Sequence, residues 1–341
     1  MTAGSEQKMR TVALEEHFSL LDVGGMTPPS RPPLAIEAMP EAVRNAGDKI
    51  NDLEARLADM DRHGITVQVL SRAGISRGPS AEMFEDREAV VFAKTYNDLL
   101  AKKIAERPDR FVAFAHLAVS VPEAAADELE RAVTTYGFKG ALISGMIRGR
   151  FLDDAMFAPL LARAEKLDVP LYLHPGAPSA EIRKTYYFYE GSFPQKVALG
   201  LSTFAWGWHY ETALHVMRLA VSGTLDRHPR LNIIVGHMGE ALPFMLARCE
   251  HEFGSDLSYL SRPLSAILTD QVYITSAGLF TNPPFLAALQ TFGIDRLMFS
   301  VDYPYSSNAM GRKFLDNLPL SPTDLEKFAH GNADRLLKLN A

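Results

Sequence analysis

Eight short apolar runs rich in β-branched residues, at 11–17, 67–71, 111–119, 140–144, 170–174, 232–237, 272–276 and 297–302, constrain this chain more than any single motif. Between them lie longer stretches of helical period, among them 51–62, 87–106, 121–136, 155–166 and 210–225. Short apolar runs alternating with helices are the pattern of parallel βα units. Eight such units favour an α/β fold closed into a (β/α)8 TIM barrel over an open sheet, with the 341 residues forming one domain, 1–341.

The carboxyl ends of barrel strands form the working face, so the place of each polar residue within its run is informative. Glu15, His17, His174, His237 and Asp302 all fall at those ends. Side chains at i and i+2 of a strand share a face, so Glu15 and His17 point together while Glu16 points away. Taken singly, each has an ordinary reading: a strand-end ion pair for Glu15 and His17, a carbonyl-bonded buried ring for His174, a turn cap for Asp302. Taken together, two histidines and two carboxylates at one mouth match the ligands preferred by zinc and similar divalent ions.

His237 and Glu240, in Gly236-His237-Met238-Gly239-Glu240, share a face if the chain turns into a helix there. A carboxylate on one ring nitrogen fixes the tautomer and leaves the other nitrogen free to exchange a proton or hold an anion. A fifth ligand or a structural hydrogen bond is the alternative. Arg248 offers a guanidinium for a carboxylate or phenolate, or else a surface salt bridge. His209 and His215 are spaced so as to stand well apart around a helix, and surface or interface roles are expected for both. His116 in the third run could approach the mouth, whereas His63, His228, His251, His330 and Cys249 lack a comparable setting.

Two insertions modify the plain barrel. Residues 22–48 carry Gly24-Gly25, Pro28-Pro29 and Pro32-Pro33, a composition that resists regular structure and suits a loop over the mouth. Residues 175–208 hold Tyr186, Tyr187, Phe188, Tyr189, Phe193, Phe204, Trp206 and Trp208. A segment so apolar is expected to cover the pocket, to contact another subunit, or both.

Composition excludes several classes. A net charge of -6 with no marked run of Lys or Arg offers no general attraction to phosphate backbones, so no nucleic-acid partner is expected. The single cysteine rules out an internal disulfide and a zinc cluster of thiolates. The opening residues lack the apolar core of a signal peptide, and no apolar stretch is long enough to span a bilayer. A cytoplasmic location without membrane association is expected.

These motifs resemble the metal-dependent amidohydrolase superfamily, in its branch related to aminocarboxymuconate-semialdehyde decarboxylase. The resemblance covers nearly the whole chain, including Asp52-Leu53-Glu54-Ala55-Arg56-Leu57-Ala58-Asp59-Met60-Asp61 and the closing Gly331-Asn332-Ala333-Asp334-Arg335-Leu336. Within the branch, Ala13-Leu14-Glu15-Glu16-His17-Phe18 and Asp302-Tyr303-Pro304-Tyr305 are most similar to the γ-resorcylate (2,6-dihydroxybenzoate) decarboxylases. The resemblance implies that Glu15, His17, His174 and Asp302 bind one divalent cation, zinc or manganese, and that His237 and Glu240 form a catalytic pair. The implied substrate is a small aromatic carboxylic acid with a hydroxyl ortho to its carboxylate. Asp302 would protonate the ring carbon bearing that carboxylate, Arg248 would hold the negative charge, and Tyr305 would pack on the ring. The family and the aromatic insertion imply a homodimer or homotetramer. Both insertions are longer than the simpler decarboxylases need, which leaves substrate choice open and admits bulkier phenolic acids. A hydrolase of a lactone or amide on the same fold shares almost every motif, with Asp302 accepting a proton from metal-activated water. A noncatalytic protein retaining the barrel is the third reading.

Overall fold

The eight runs become eight parallel strands in the computed structural model, which describes residues 9–27, 41–72, 81–188 and 193–339. They are β1 (Val12–His17), β2 (Val67–Ser71), β3 (Phe111–Ala113), β4 (Ala141–Ser144), β5 (Leu171–His174), β6 (Ile233–Val235), β7 (Val272–Thr275) and β8 (Leu297–Met298). The helices are α1 (Glu41–Ala46), α2 (Leu53–His63), α3 (Asp86–Ile104), α4 (Pro122–Tyr136), α5 (Ala158–Leu167), α6 (Ala180–Tyr186), α7 (Gln195–Ser202) and α8 (Gly207–Val221). They continue with α9 (Thr224–Arg227), α10 (Leu242–Phe253), α11 (Leu264–Gln271), α12 (Asn282–Phe292), α13 (Asn308–Asp316), α14 (Pro322–Glu326) and α15 (Asn332–Leu337). Local chemistry sets their ends. The Asp52 side chain caps α2 by accepting from Ala55 N at 2.9 Å, and left-handed Gly64 stops it. Pro122 opens α4 and left-handed Gly137 closes it.

Neighbouring strands pair in parallel from β1 to β3 and from β4 to β8. A bridge from Ala115 to Ala141 joins the two sheets. The seam between β8 and β1 is closed by His17 N donating to Tyr303 O at 2.7 Å and Glu15 N donating to Ser300 Oγ at 2.6 Å. The barrel interior holds a cluster that includes Val12, Leu14, Val69, Phe114, Tyr172 and Ile234, to which α15 adds Leu336 and Leu337. A larger cluster packs the outer strand faces against the helices.

The third and eighth strands are shorter than their runs, for one reason. Past the ladder, side chains and more distant carbonyls take over the backbone donors: His116 N donates to Asn97 Oδ1 at 2.9 Å, Phe299 N to Phe328 O at 2.9 Å, and Val301 N to Glu16 Oε1 at 2.8 Å.

The insertions differ from expectation. Pro28-Pro29, Pro32-Pro33 and Tyr189 lie outside the described residues, but 22–48 is not irregular throughout, because the Gly- and Pro-free segment Glu41–Ala46 forms α1. The described residues of 175–208 include α6, α7 and the start of α8 and are only partly covered: Tyr186 is 65% exposed and Trp206 51%. Trp208 instead turns edge-on to His174, with ring centroids 6.2 Å apart. Among the described residues, no helix is long and apolar enough to cross a membrane.

Candidate metal centre and active site

A β-bulge aims the first strand. Val12 and Leu14 face the barrel interior, so strict alternation would send Glu15 outward to the helices. Instead the register of β1 against β2 slips between Ala13 and Glu16, placing one extra residue on β1. That slip turns Glu15 and His17 inward and Glu16 outward. Glu16 then accepts from Val301 N at 2.8 Å, Tyr303 N at 3.2 Å and Gln68 Nε2 at 3.1 Å, tying β8 to β1 and β2. Alternation accounts for the shared face of Glu15 and His17, and the bulge turns that face inward, which alternation alone does not reveal.

Glu15, His17 and His174 each offer one ligand atom, all within 4.8 Å of one another. Glu15 Oε1 lies 3.3 Å from His174 Nε2 and 3.9 Å from His17 Nε2, and Asp302 Oδ1 lies 3.0 Å from His17 Nε2. Tyr172 donates to the other carboxylate oxygen of Glu15 and shares a 2.8 Å hydrogen bond with Thr275 Oγ1. His174 Nδ1 is engaged by Pro175 O at 2.8 Å, leaving Nε2 to face inward. At Gly236 a Cβ would collide with the engaged oxygen of Glu15, so a larger residue there would have to displace that carboxylate.

The site fits a divalent cation by a test internal to the fold. Among the described residues, Glu15 Oε1 and both ring nitrogens of His17 are buried without a hydrogen-bond partner. Such orphaned atoms are costly unless an ion satisfies them. Burial pushes Glu15 up to about 7 against the pull of His237, with Asp302 adding to the rise. Burial likewise holds His174 well below its usual value, and nearby His17 and His237 act in the same direction. Carboxylates crowded beside imidazole nitrogens form a nitrogen and oxygen donor set in want of positive charge.

His237 and Glu240 meet, though not on a helix. His237, Met238, Gly239 and Glu240 all take positive φ, at 48°, 56°, 82° and 59°. Non-glycine residues there cost on the order of 1–3 kcal/mol each, strain of the kind that clusters at functional sites. The turn brings His237 Nδ1 to 2.8 Å from Glu240 Oε1 and leaves Nε2 at 4.0 Å from Glu15 Oε1. Burial works to lower the His237 pKa, but Glu240 and Glu15 outweigh it and lift it to about 10. Burial works to raise Glu240, and His237 with His209 overcomes it, holding this carboxyl below its usual range.

The structure also draws in residues that the sequence does not single out. His209, expected on the surface, places Nδ1 at 2.5 Å from Glu240 Oε2. Its helix spacing from His215 was the only sequence signal, and His215 does face elsewhere, accepting from Leu152 N at 2.9 Å. Arg72, one residue past β2, is 5% exposed, and its charge acts on Tyr305. The Tyr305 ring sits 5.3 Å from that of His17, and its hydroxyl is buried with no hydrogen-bond partner among the described residues. Arg248, by contrast, is not brought to this cluster. It lies on the exposed side of α10, paired with Glu252 at 3.2 Å, because its place in that helix turns it to solvent. His116 is buried, with Nε2 accepting from Ala81 N at 3.1 Å.

The profile of the amidohydrolase family matches residues 16–339. This chain belongs to the amidohydrolase family. The amidohydrolase is 38% identical over 345 residues to the decarboxylase OrsB of Emericella nidulans, covering 96% of this chain and 97% of that one. It is 35% identical to the γ-resorcylate decarboxylase of a Rhizobium species, over 96% and 98% of the two chains. Among solved structures, it superimposes with a TM-score of 0.84 on the dihydroxybenzoic acid decarboxylase of Polaromonas sp. JS666, which holds manganese and the inhibitor 2-nitroresorcinol. That match is 31% identical and covers 98% of each chain. The fold is thus the family's TIM barrel, and the amidohydrolase stands among the family's carboxy-lyases.

Proposed function

We propose that this amidohydrolase is a divalent-metal-dependent, nonoxidative decarboxylase of an aromatic acid bearing a hydroxyl ortho to its carboxylate. One observation carries the proposal: orphaned Glu15 Oε1, His17, His174 and Asp302 converge on a point also faced by the His237–Glu240 pair. The names of its relatives favour decarboxylation over hydrolysis of a lactone or amide.

Glu15, His17, His174 and Asp302 would hold the cation, manganese by analogy with the Polaromonas enzyme. The cation would supply a Lewis acid that stabilises negative charge on the substrate's oxygens. Asp302 is the proton donor to the ring carbon bearing the carboxylate. Protonation there interrupts aromaticity, and loss of CO2 restores it; one proton is consumed per turnover, and Asp302 is reprotonated from water. His237, kept cationic by Glu240, presents Nε2–H to the developing charge. Tyr305 packs on the aromatic ring. Arg72, buried at the end of β2, is a better placed guanidinium for the substrate than Arg248. We take the chain as one domain acting in the cytoplasm, as a homodimer or homotetramer built partly on the exposed aromatics of 175–208.

The test is a panel assay on manganese-loaded protein, following CO2 from hydroxybenzoates and hydrolysis of lactones and amides. CO2 release from an ortho-hydroxybenzoate without hydrolysis is expected. Hydrolysis alone would overturn the reading.

A further inference from the structure

Glu240 carries more than the His–Glu pair requires. Its side chain is fully buried and both oxygens are spoken for, Oε1 by His237 Nδ1 at 2.8 Å and Oε2 by His209 Nδ1 at 2.5 Å. The two imidazoles stand edge to face, with centroids 4.7 Å apart. A single donor would leave the carboxylate free to swing, because the terminal torsion of a glutamate is broad. The second donor removes that freedom. It matters here because Glu240 stands on a turn of consecutive positive-φ residues, with no regular helix to set its direction.

His209 is itself held. It enters from the first turn of α8, where Trp208 Nε1 donates to His209 Nε2 at 3.1 Å and the Phe204 carbonyl lies 2.9 Å from the same nitrogen. A carboxylate can only accept, so the close approach of Nδ1 to Glu240 Oε2 requires Nδ1 to carry a proton, and the ring is a donor toward Glu240. Trp208 also stands edge-on to His174, so one short stretch of α8 touches both the metal-ligand side and the His–Glu side of the mouth.

We propose that His209 is a positioning residue for the reaction: by gripping Oε2 of Glu240 it fixes the plane of that carboxylate and, through it, the ring of His237. This rests on the reading of His237 and Glu240 as the pair that faces the substrate.

The experiment compares wild type with His209→Phe, His209→Asn and Glu240→Gln. Metal content, 2-nitroresorcinol affinity and decarboxylation of 2,6-dihydroxybenzoate are measured on manganese-loaded protein, and downfield proton NMR on zinc-loaded protein. His209→Phe keeps the ring volume without the donor and is expected to retain metal and inhibitor affinity while kcat falls roughly 10- to 100-fold, the range for outer-shell partners. His209→Asn, whose amide nitrogen occupies the place of Nδ1, should restore most of that loss. In the spectrum, wild type should show two downfield N–H signals, His209→Phe one that is shifted, and Glu240→Gln neither. An unchanged kcat in His209→Phe beside an inactive Glu240→Gln overturns the role of His209 alone. Full activity in both overturns the His–Glu reading itself. If 2,6-dihydroxybenzoate is not turned over, the spectrum still decides, since an unshifted His237 signal in His209→Phe overturns the proposal. A second equivalent of divalent metal lost on His209→Phe would also overturn it, because that ion would occupy the nitrogens assigned here to hydrogen bonds.

Discussion

At the scale of single residues, the mouth is defined by which polar atoms lack partners. Asp302 is the side chain asked to move a proton, and its Oδ1 lies 3.0 Å from His17 Nε2. Replacing it with Asn should cut kcat by about 10²–10⁴-fold, the usual share of a positioned general acid. Metal content measured on the same preparation separates this loss from loss of the ion. Gly236 makes a different point. An alanine there would force Glu15 out of its contact with Tyr172, so Gly236→Ala should retain the far-ultraviolet spectrum of the barrel but bind much less than one metal per chain. Full metal occupancy in that variant would show that Glu15 is not a ligand.

At the scale of elements, β1 does two jobs because its bulge separates them. Glu16 faces outward and satisfies two backbone donors of the β8 segment, Val301 N and Tyr303 N. Glu16→Ala would leave those buried donors unpaired, at on the order of 1–3 kcal/mol each. A marked loss of thermal stability with undiminished metal binding is expected; loss of metal without loss of stability would contradict the division of labour. The strands were legible in the sequence because parallel strands buried on both faces read as short apolar runs, and β2 matches its run residue for residue. The polar residues ending those runs were legible for the same reason. The bulge was not, since an extra residue in β1 leaves the apolar count almost unchanged. The role of His209 is not legible in the sequence because its partner lies 31 positions away across a tertiary contact between α8 and the turn after β6. Arg248 reads as a candidate from its distance along the chain from His237, which does not carry the direction it faces on α10.

At the scale of the whole molecule, two buried neutral histidines tie stability to pH. Burial pushes His116 and His215 down to about 4, and the Nε2 atom of each accepts a backbone N–H, from Ala81 and Leu152. In the unfolded chain each titrates near about 6.5. Between those values the unfolded state binds more protons, so their contribution is complete above about pH 6.5 and is lost as pH falls toward 4. Each can account for about 3 kcal/mol at one pKa unit per 1.36 kcal/mol. Burial raises Glu15 to about 7 and Glu16 to about 8, which pulls the other way in metal-free protein, so the histidine contribution is read as a difference. The melting temperature of wild type relative to His215→Gln should fall from pH 7 to pH 5, and a constant difference would contradict the burial of a neutral ring.

The central claim joins metal, proton donor and substrate class, and one measurement reaches all three. Chelator-stripped and manganese-reconstituted protein would be incubated with 2,6-dihydroxybenzoate in D2O, and the resorcinol product analysed by NMR. The expected result is one deuterium at the carbon that carried the carboxylate, formed only by the reconstituted protein. Equal turnover by the stripped protein, or no decarboxylation after reconstitution, would contradict the account.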